Sequence, residues 1–553
     1  MSQQRRKPLG KIPTNIPGLD SILAGGFPEL SINIITGSPG AGKTIFSQQL
    51  IYTNATPTQK ALYLTTLSEP PIKMLYYLQQ FDFFDRDKVG EQVIYLDIGE
   101  VIRDRGLEET LNAILNYVQQ YKPAIVGIDS FKAINDMVQD PVQARKFGYD
   151  LSVRLTTWAV TTLLVGEYTE DEIEQQPIFA IADSIIRMQY QPLGLHYQRY
   201  INVLKLRGCD YFSGMHPFKI NNAGLRVYPR IKLSITAPPA SLQTGRVSTG
   251  IIGLDQMLAG GFPAGSATMV AGGAGTGKTL LGLNFITTGI KENEPGVIVS
   301  FQENPQQLQQ IADSFNWNLL RLAAEDQLIH LYHSPVEIQP DIHAAYILDA
   351  VEKIGAKRVL LDSIKDIEIA TPDKVRYKDY IYALVNQLKL QGITIIMNHE
   401  IPELFGDFQV SEYGVSFIAD NVILLRYVEL SGEMGRAINI MKMRGSQHSK
   451  EIRRFEINDT GLLIGDMMTA QTGILTGLPI LTAIPHSTIN DLPARSQYIL
   501  KTLQQKGTST VAELATQTGL PESDVEQEME ELQDQGLILS LNRNNLKYYR
   551  VTI

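Results

Sequence analysis

Cysteine is nearly absent from this chain of 553 residues, since Cys209 is its single example. A lone cysteine excludes a disulfide within the chain and a zinc site built on cysteines, and it is typical of a reducing compartment. No run approaches the roughly 18 consecutive apolar residues that span a bilayer. The basic N-terminal tail (residues 1–10) leads into no apolar segment, so no signal peptide is expected. We therefore expect a cytoplasmic protein without a membrane partner.

An excess of positive charge is also missing. The chain has 49 Lys and Arg against 59 Asp and Glu, a formal net charge of −10. Bulk attraction to nucleic acid or to anionic lipid is therefore not expected, which disfavours a recombinase- or helicase-like motor. With 44% hydrophobic and 20% charged residues the composition is that of an ordinary globular protein, and the length predicts about three domains.

One long segment occurs twice. Residues 18–28 (GLDSILAGGFP) recur as residues 253–263 (GLDQMLAGGFP), offset by 235 residues. A glycine-rich loop, an Asp-Ser pair and a K-x-R-G motif follow in both copies at nearly the same offset. This period is far longer than a solenoid unit, so each copy is expected to be a complete domain.

Each copy contains a loop of the form G-x-x-x-x-G-K-[ST] between a predicted strand and a predicted helix. Glycines let main-chain N–H groups surround phosphate oxygens, the lysine reaches the β- and γ-phosphates, and the threonine hydroxyl ligates Mg²⁺. Two such loops in repeat register predict two sites for ATP and Mg²⁺. The loops consist of Gly37, Ser38, Pro39, Gly40, Ala41, Gly42, Lys43 and Thr44, and of Gly272, Gly273, Ala274, Gly275, Thr276, Gly277, Lys278 and Thr279.

Acidic residues at the ends of later strands complete the expected sites. Asp129 and Asp362 end apolar runs, where a Walker B carboxylate holds the Mg²⁺ shell together with the threonine of the loop. Glu69 and Glu303 follow the next strand along from each loop, where RecA-like ATPases place a general base. For the aspartates the alternative is a residue that only forms a turn, and recurrence in both copies disfavours it. For the glutamates the alternative is a solvated loop residue.

The apolar runs alternate with amphipathic segments in both copies, which indicates βαβ units around largely parallel sheets. The predicted fold class is α/β, with RecA-like P-loop domains at residues 11–230 and 248–465. Segments containing Pro, Thr and Gly predict linkers at residues 231–247 and 466–493. Residues 494–553 remain as a small separate domain.

These motifs, with the run Arg426–Ile457, resemble the KaiC family of tandem ATPases over about residues 11–466. The resemblance implies two-tiered homohexamers that hold ATP between adjacent subunits. It also implies that the K-x-R-G residues reach the γ-phosphate of the neighbouring subunit in the manner of an arginine finger, whereas without it a solvated basic hairpin is equally acceptable. These residues are Lys205, Arg207, Lys442 and Arg444.

The sequence departs from the family's pattern in two places. KaiC proteins carry two adjacent glutamates at the base position, and here Ser68 and Gln302 replace the first of each pair, so slower hydrolysis is expected. The family's phosphorylated Ser-Thr pair corresponds to Ser416 and Phe417. Because a phenyl ring accepts no phosphate, the two-site phosphorylation cycle is lost. Ser416 stays a candidate phosphoacceptor, with a packed hydroxyl as the alternative, and Ser411 is a weaker candidate.

Residues 494–553 predict three helices and a hairpin, an order that resembles a winged helix-turn-helix. The predicted third helix, Glu522–Gln535, has seven acidic residues and no Lys or Arg, which would repel DNA phosphates. Docking of a protein signalling partner is therefore preferred, and DNA binding stays open.

Two functions compete at this point. The first is an ATP-hydrolysing, hexameric signalling enzyme with serine autophosphorylation in the second domain. The second is an ATP-switched transcriptional or signalling adaptor that acts through the C-terminal domain. His399 and Glu400, near the second site, are interpreted as polar loop residues rather than metal ligands.

Overall fold

The computed structural model describes most of the chain. It describes residues 10–66, 71–137, 140–193, 196–231, 245–335, 338–371, 373–401, 417–430, 433–459, 461–468, 471–472, 480–481, 492–506, 508–534, 537–543 and 546–551. The chain divides into two compact units, and the boundary along the sequence falls after residue 232. Each unit is described by itself. None of the helices within the described ranges is long and apolar enough to cross a membrane.

The first unit is built on a twisted sheet with helices around it. Its strands are β1 (Lys11–Ile12), β2 (Phe27–Pro28), β3 (Ile32–Gly37), β4 (Ala61–Thr65), β5 (Val93–Asp97), β6 (Ile125–Asp129), β7 (Thr161–Gly166), β8 (Ser184–Leu193), β9 (His196–Leu206), β10 (Met215–Asn221) and β11 (Gly224–Val227). Its helices are α1 (Leu19–Ile22), α2 (Lys43–Asn54), α3 (Pro71–Leu78), α4 (Gly99–Tyr121), α5 (Phe131–Asp136), α6 (Pro141–Thr157), α7 (Glu170–Gln175) and α8 (Pro177–Ile181).

Nine of these strands form one sheet in the order β11-β10-β9-β8-β3-β7-β6-β4-β5. The strands from β8 to β5 are parallel, and β9, β10 and β11 extend the sheet with antiparallel pairs. Strands β3, β4 and β7 are buried along their whole length, as expected for parallel strands whose two faces are both covered.

The second P-loop domain repeats this plan. Its strands are β12 (Arg246–Val247), β13 (Phe262–Pro263), β14 (Ala267–Gly272), β15 (Gly296–Ser300), β16 (Leu328–Tyr332), β17 (Arg358–Asp362), β18 (Thr394–Glu400), β19 (Asn421–Leu430), β20 (Glu433–Met443), β21 (Arg453–Asn458) and β22 (Gly461–Met467). Its helices are α9 (Ile252–Met257), α10 (Lys278–Lys291), α11 (Pro305–Asp313), α12 (Leu319–Ala324), α13 (Pro340–Ile354), α14 (Ile364–Ala370) and α15 (Lys374–Leu390). The order β16-β15-β17-β18-β14-β19-β20-β21-β22 matches the first sheet strand for strand. The predicted α/β class with two RecA-like domains is confirmed.

In the C-terminal part of the second compact unit, three helices and a three-stranded sheet form the C-terminal unit, which has its own apolar core. After β23 (Gln471–Thr472) and β24 (Ile480–Leu481) come α16 (Ala494–Lys506), β25 (Ser509–Thr510), α17 (Val511–Thr518), α18 (Glu522–Asp534), β26 (Ile538–Arg543) and β27 (Leu546–Val551). The strands pair in the order β25-β27-β26, and β26 and β27 form the predicted hairpin at Arg543. Val525, Met529 and Leu532 of α18 are buried in the core, as their helical spacing predicts. Its likeness to a winged helix stays a prediction.

Candidate functional site

The two glycine-rich loops share left-handed glycines at two equivalent positions. Gly40 and Gly275 both have φ 72°, and Gly42 and Gly277 have φ 101° and 104°. These left-handed values favour glycine because a side chain would be strained there. Each loop leaves the C-terminal end of a central strand, β3 or β14, and opens a helix, α2 or α10, so main-chain N–H groups and the positive end of the helix dipole meet in the loop.

The loop lysines are buried and held against their own loops. Lys43 Nζ donates to the carbonyl oxygen of Ser38 at 2.9 Å and to Glu167 Oε1 at 3.1 Å. Lys278 Nζ donates to the carbonyl oxygens of Gly272 at 3.0 Å and Gly273 at 2.8 Å. Burial lowers the pKa of Lys278, which the nearby carboxylates oppose. Both ammonium groups therefore lie inside the loops that a phosphate chain would fill.

The strand-end aspartates lie beside the loop threonines. In the first domain the hydroxyls of Thr44 and Tyr63 donate to Asp129 Oδ2 at 2.8 and 2.9 Å. In the second, burial raises the pKa of Asp362, while hydrogen bonding from Thr279 acts in the opposite direction.

The chemistry of this pair fits a divalent cation. Asp362 is 6% exposed, and its Oδ2 has no hydrogen-bond partner among the described residues. Buried carboxylate oxygens normally have partners, and an oxygen of this kind next to a threonine hydroxyl is the ligand type that Mg²⁺ prefers.

Glu303 lies beside Asp362 in the second domain. Burial raises the pKa of Glu303, and the neighbouring carboxylate of Asp362 raises it further. The segment that carries it is anchored, because Ser300 Oγ donates to the Glu303 carbonyl oxygen at 2.8 Å and lies 2.7 Å from His330 Nε2. A half-buried carboxylate with a raised pKa is a stronger proton acceptor than an exposed one.

Glu69 falls within residues 67–70, outside the described residues, but the flanking structure constrains its alignment. Thr66 and Phe301 are equivalent, since each main-chain N–H donates to the carbonyl of the strand-end aspartate at 3.1 and 3.2 Å. The following helices begin at Pro71 and Pro305. The first domain therefore has four residues in this segment where the second has three.

A third carboxylate at each site was not predicted. Glu167 follows β7 and Glu400 ends β18, the strand beside each P-loop strand, and Glu400 pairs in register with Gly272. The interpretation of His399 and Glu400 as loop residues was wrong, because β18 extends through both. No group of three or more His, Cys, Asp or Glu within the described ranges is placed to hold a metal. The negative charge of Glu400 instead raises the pKa of Lys278 and so favours its protonated form.

An arginine over a tyrosine flanks each P-loop, and this pair was also missed. The guanidinium of Arg199 lies 4.8 Å from the ring centroid of Tyr190, and that of Arg436 lies 5.3 Å from that of Tyr427. The Tyr427 hydroxyl donates to the carbonyl oxygen of Gly275 at 2.7 Å. These pairs lie on the hairpins β8–β9 and β19–β20 and extend each site beyond the phosphate loop.

A cavity of about 820 Å³ opens at the first P-loop. Its lining includes Lys43, Thr44, Tyr63, Asp129 and Arg199. This volume is within the range of small-molecule sites. The predicted phosphate- and metal-binding groups of the first domain therefore line the same cavity.

The K-x-R-G residues lie at the opposite end of each sheet. Lys205 pairs with Ile185 near the start of β8, which begins level with the start of β3, so it is about 10 Å from the P-loop of its own sheet along the strands. Lys442 pairs with Val422 at the start of β19 in the same way. Lys205 Nζ donates to the carbonyl oxygen of Ala180 at 3.0 Å, and Lys442 Nζ to that of Ala419 at 2.7 Å.

The two arginines of these motifs remain near the surface at the same end. Arg207 donates to the carbonyl oxygen of Ala180 and Arg444 to that of Phe417, each at 3.0 Å. Burial, with a contribution from these arginines, lowers the pKa of Lys205 and of Lys442. None of the four residues is brought to the P-loop of its own sheet.

Comparison with known proteins places this arrangement in context. A family model described as "ATPase: KaiC" matches residues 12–232 and again residues 247–468. The circadian clock protein KaiC3 of Synechocystis sp. is 30% identical over 496 residues, which cover 87% of this chain and 97% of that protein. The circadian clock oscillator proteins KaiC of Thermostichus vulcanus and Synechococcus elongatus are 28% and 27% identical, covering 88% and 90% of this chain and 95% and 96% of those proteins. The residues after 468 lie outside the family match.

Proposed function

The chain belongs to the KaiC family of ATPases, and from this premise we propose that both of its P-loop domains bind Mg²⁺–ATP and hydrolyse it. The observation that carries the proposal is the recurrence of one arrangement in both sheets: a phosphate loop, a buried lysine and a strand-end aspartate next to the loop threonine. Chance would not place these groups twice in the same strand order.

The residues of each loop take the roles that their positions suit. On nucleotide binding, Lys43 leaves Ser38 and Glu167, and Lys278 leaves its loop carbonyls, to bind β- and γ-phosphate oxygens. Thr44 with Asp129, and Thr279 with Asp362, would hold the metal. Bound there, Mg²⁺ neutralises charge on the β- and γ-phosphates.

Proton removal from the attacking water falls to a glutamate in each domain. Glu303 suits this role because burial raises its pKa and so makes it a stronger base. Glu69 is its counterpart in the first domain, where one additional residue separates strand from helix. Because its pKa is raised, Glu303 becomes protonated at a higher pH than an exposed glutamate does. On acidification, hydrolysis at the second site is therefore expected to begin to fall at a higher pH than it would with an exposed glutamate as the base.

We expect the K-x-R-G residues to act on the nucleotide of a neighbouring copy in a homohexamer. This expectation is supported by the position of these residues, which lie at the end of the sheet away from their own P-loop. A cation from the neighbour would neutralise the charge that develops on the γ-phosphate. Assembly would then be part of catalysis.

Phosphate release from γ-labelled ATP tests the hydrolysis. Lys43→Ala and Lys278→Ala are each expected to remove the turnover of one domain, and the double variant to have none. Lys291→Ala is the matched control, since this exposed lysine ends the same helix that Lys278 begins. Release that persists undiminished in the double variant would contradict the proposal.

Mixing of inactive variants tests action between copies. In a Lys43→Ala background, Arg444→Ala chains mixed with Lys278→Ala chains are expected to recover roughly a quarter of second-site turnover, because random neighbours then form some complete sites. Action within one chain predicts no recovery. Native mass measurement with and without ATP gives the number of copies.

Autophosphorylation of Ser416 is a secondary part of the proposal. Ser416 and Ser411 lie outside the described residues, while Phe417, which replaces the other acceptor of the family, is exposed and has Lys378 Nζ 4.8 Å from its ring centroid. We therefore favour ATP hydrolysis over kinase activity as the main activity of the protein. Phosphopeptide mapping after incubation with ATP should find phosphate at Ser416, and a segment without phosphate would contradict this part of the proposal.

The alternative function is an ATP-switched adaptor, and the C-terminal unit supports it. Residues 494–551 have a separate apolar core and lie beyond the family match. The acidic face of α18 favours a protein partner over DNA. A mobility-shift assay of the full chain with DNA at increasing salt distinguishes a DNA-binding role from docking of a protein. A complex that is lost steeply with salt would indicate contacts to DNA phosphates. The expected result is no complex.

A further inference from the structure

The first nucleotide site contains a phenol that the second site lacks. Tyr63 lies in the middle of β4, is 0% exposed, and donates to Asp129 Oδ2 at 2.9 Å. The Thr44 hydroxyl donates to the same oxygen at 2.8 Å. In the second sheet the equivalent residue of β15 is Ile298, which has no donor. The two sites therefore differ in how the strand-end aspartate is held.

The neighbouring strand is adapted to this tyrosine. Tyr63 pairs with Gly127 on β6, where a Cβ atom would lie 2.6 Å from the tyrosine ring. In the second sheet the corresponding pair is Ile298 and Leu360. The first sheet thus has a large residue beside a glycine where the second has two residues of intermediate size. The Tyr63 ring occupies the space that the missing side chain of Gly127 leaves on the adjacent strand.

Surrounding groups keep the phenol neutral and oriented. The Tyr63 hydroxyl lies 3.0 Å from Ser47 Oγ, and its ring packs against Tyr95 at 5.8 Å between centroids. Burial, reinforced by the charge of Asp129, raises the pKa of Tyr63 well above its usual value. A phenol that stays protonated remains a hydrogen-bond donor to the carboxylate.

We infer that Tyr63 is a positioning residue of the first nucleotide site, whose hydroxyl fixes the Asp129 carboxylate in the orientation that holds Mg²⁺ with ATP. Groups that orient a metal ligand from behind typically contribute about tenfold or more to metal affinity. The inference rests on the proposed function, because it assumes that Asp129 holds the metal. In the second site Ile298 offers no such hydroxyl; hydrogen bonding from Thr279 and from Asn398 opposes the rise in the pKa of Asp362, and its Oδ2 has no hydrogen-bond partner in the part of the chain that is described.

The test compares Tyr63→Phe with Tyr95→Phe in full-length chain that carries Lys278→Ala, so that the first site dominates. Tyr95 belongs to the same aromatic cluster, but its hydroxyl donates to Gln48 and Tyr52 rather than to Asp129. Mn²⁺ binding in the presence of a non-hydrolysable ATP analogue is followed by electron paramagnetic resonance, and ATP hydrolysis is measured against Mg²⁺ concentration.

Tyr63→Phe is expected to weaken Mn²⁺ binding by about tenfold and to raise the half-saturating Mg²⁺ concentration, while the turnover rate at saturating Mg²⁺ recovers. Analogue binding in EDTA should not change. Tyr95→Phe should leave the metal dependence unchanged, which separates positioning from packing. Equal metal affinity in Tyr63→Phe and its parent, or an equal loss in Tyr95→Phe, would overturn the inference. A parent that binds no analogue would instead contradict the proposed function.

Discussion

Acidification is expected to destabilise the second P-loop domain through His330. This side chain lies on β16, with Nε2 2.7 Å from Ser300 Oγ, and burial lowers its pKa from 6.5 to about 4. The unfolded chain therefore binds a proton at a higher pH than the folded domain does. The stability that neutral His330 confers is complete above pH 6.5 and is lost as the pH falls toward 4.

The size of the effect follows from the two pKa values. A difference of about 2.5 units corresponds to about 3.4 kcal/mol when both states are fully protonated. Between pH 8 and pH 5 the folded histidine stays mostly neutral while the unfolded one is almost fully charged, so about 2 kcal/mol of the free energy of unfolding is lost.

Urea unfolding at both pH values measures this loss. A Trp158→Phe background leaves one indole, Trp317, which is 9% exposed in the second P-loop domain and reports on it alone. His330→Gln retains a polar group for Ser300 but does not titrate. The parent should lose about 2 kcal/mol more than His330→Gln between pH 8 and pH 5. An equal pH dependence in the two proteins would refute the reasoning, because all other titrating groups are shared.

Three further outcomes are expected. Both Gly37 and Gly40 have positive φ, so alanine is strained at either position. Gly37→Ala would in addition place a Cβ atom 1.9 Å from the Met188 carbonyl oxygen, whereas Gly40→Ala meets nothing within 4 Å. Calorimetry should therefore show an at least roughly tenfold greater loss of ADP affinity for Gly37→Ala; equal losses would contradict this. Arg358→Met removes a fully buried guanidinium that donates to the carbonyl oxygens of Ser248 and Phe285. It should cost about 1–3 kcal/mol in urea unfolding, because these acceptors lose their partner; an unchanged free energy of unfolding would refute this. Met529→Ala should remove about 2–5 kcal/mol from the small C-terminal unit, seen as faster proteolysis there with unchanged ATPase activity; unchanged proteolysis would contradict it.

The doubled loop and the fold around it could be predicted from sequence because their signals are local. Glycine spacing and the strand-loop-helix context determine the P-loop backbone, and Gly42 and Gly277 have nearly the same φ. The position of the candidate general base was harder to predict. Glu69 was matched to Glu303 by motif alone, and the structure adds that the first domain has one more residue in that segment.

The residues that were missed meet their partners across strands. Glu167 and Glu400 are far from the loops in sequence and come beside Lys43 and Lys278 only through the pairing of adjacent strands. The same separation of 233 residues joins Asp129 to Asp362 and Glu167 to Glu400, which was the available signal. The contact of Tyr63 with Asp129 had no such signal, because the second copy has no equivalent.

Within each sheet the P-loop and the K-x-R-G turn lie at opposite ends, so each P-loop domain has two chemically different ends. A contact that joins the basic end of one copy to the phosphate-binding end of the next is heterologous, so every copy added still presents one unused end of each kind. Such growth stops when rotation closes a ring, and in a closed ring each P-loop has a neighbour. An open assembly always has a terminal P-loop without its basic partner. Loss of a single copy would therefore be felt beyond that copy, and catalytic output would depend on ring closure rather than simply on the number of chains.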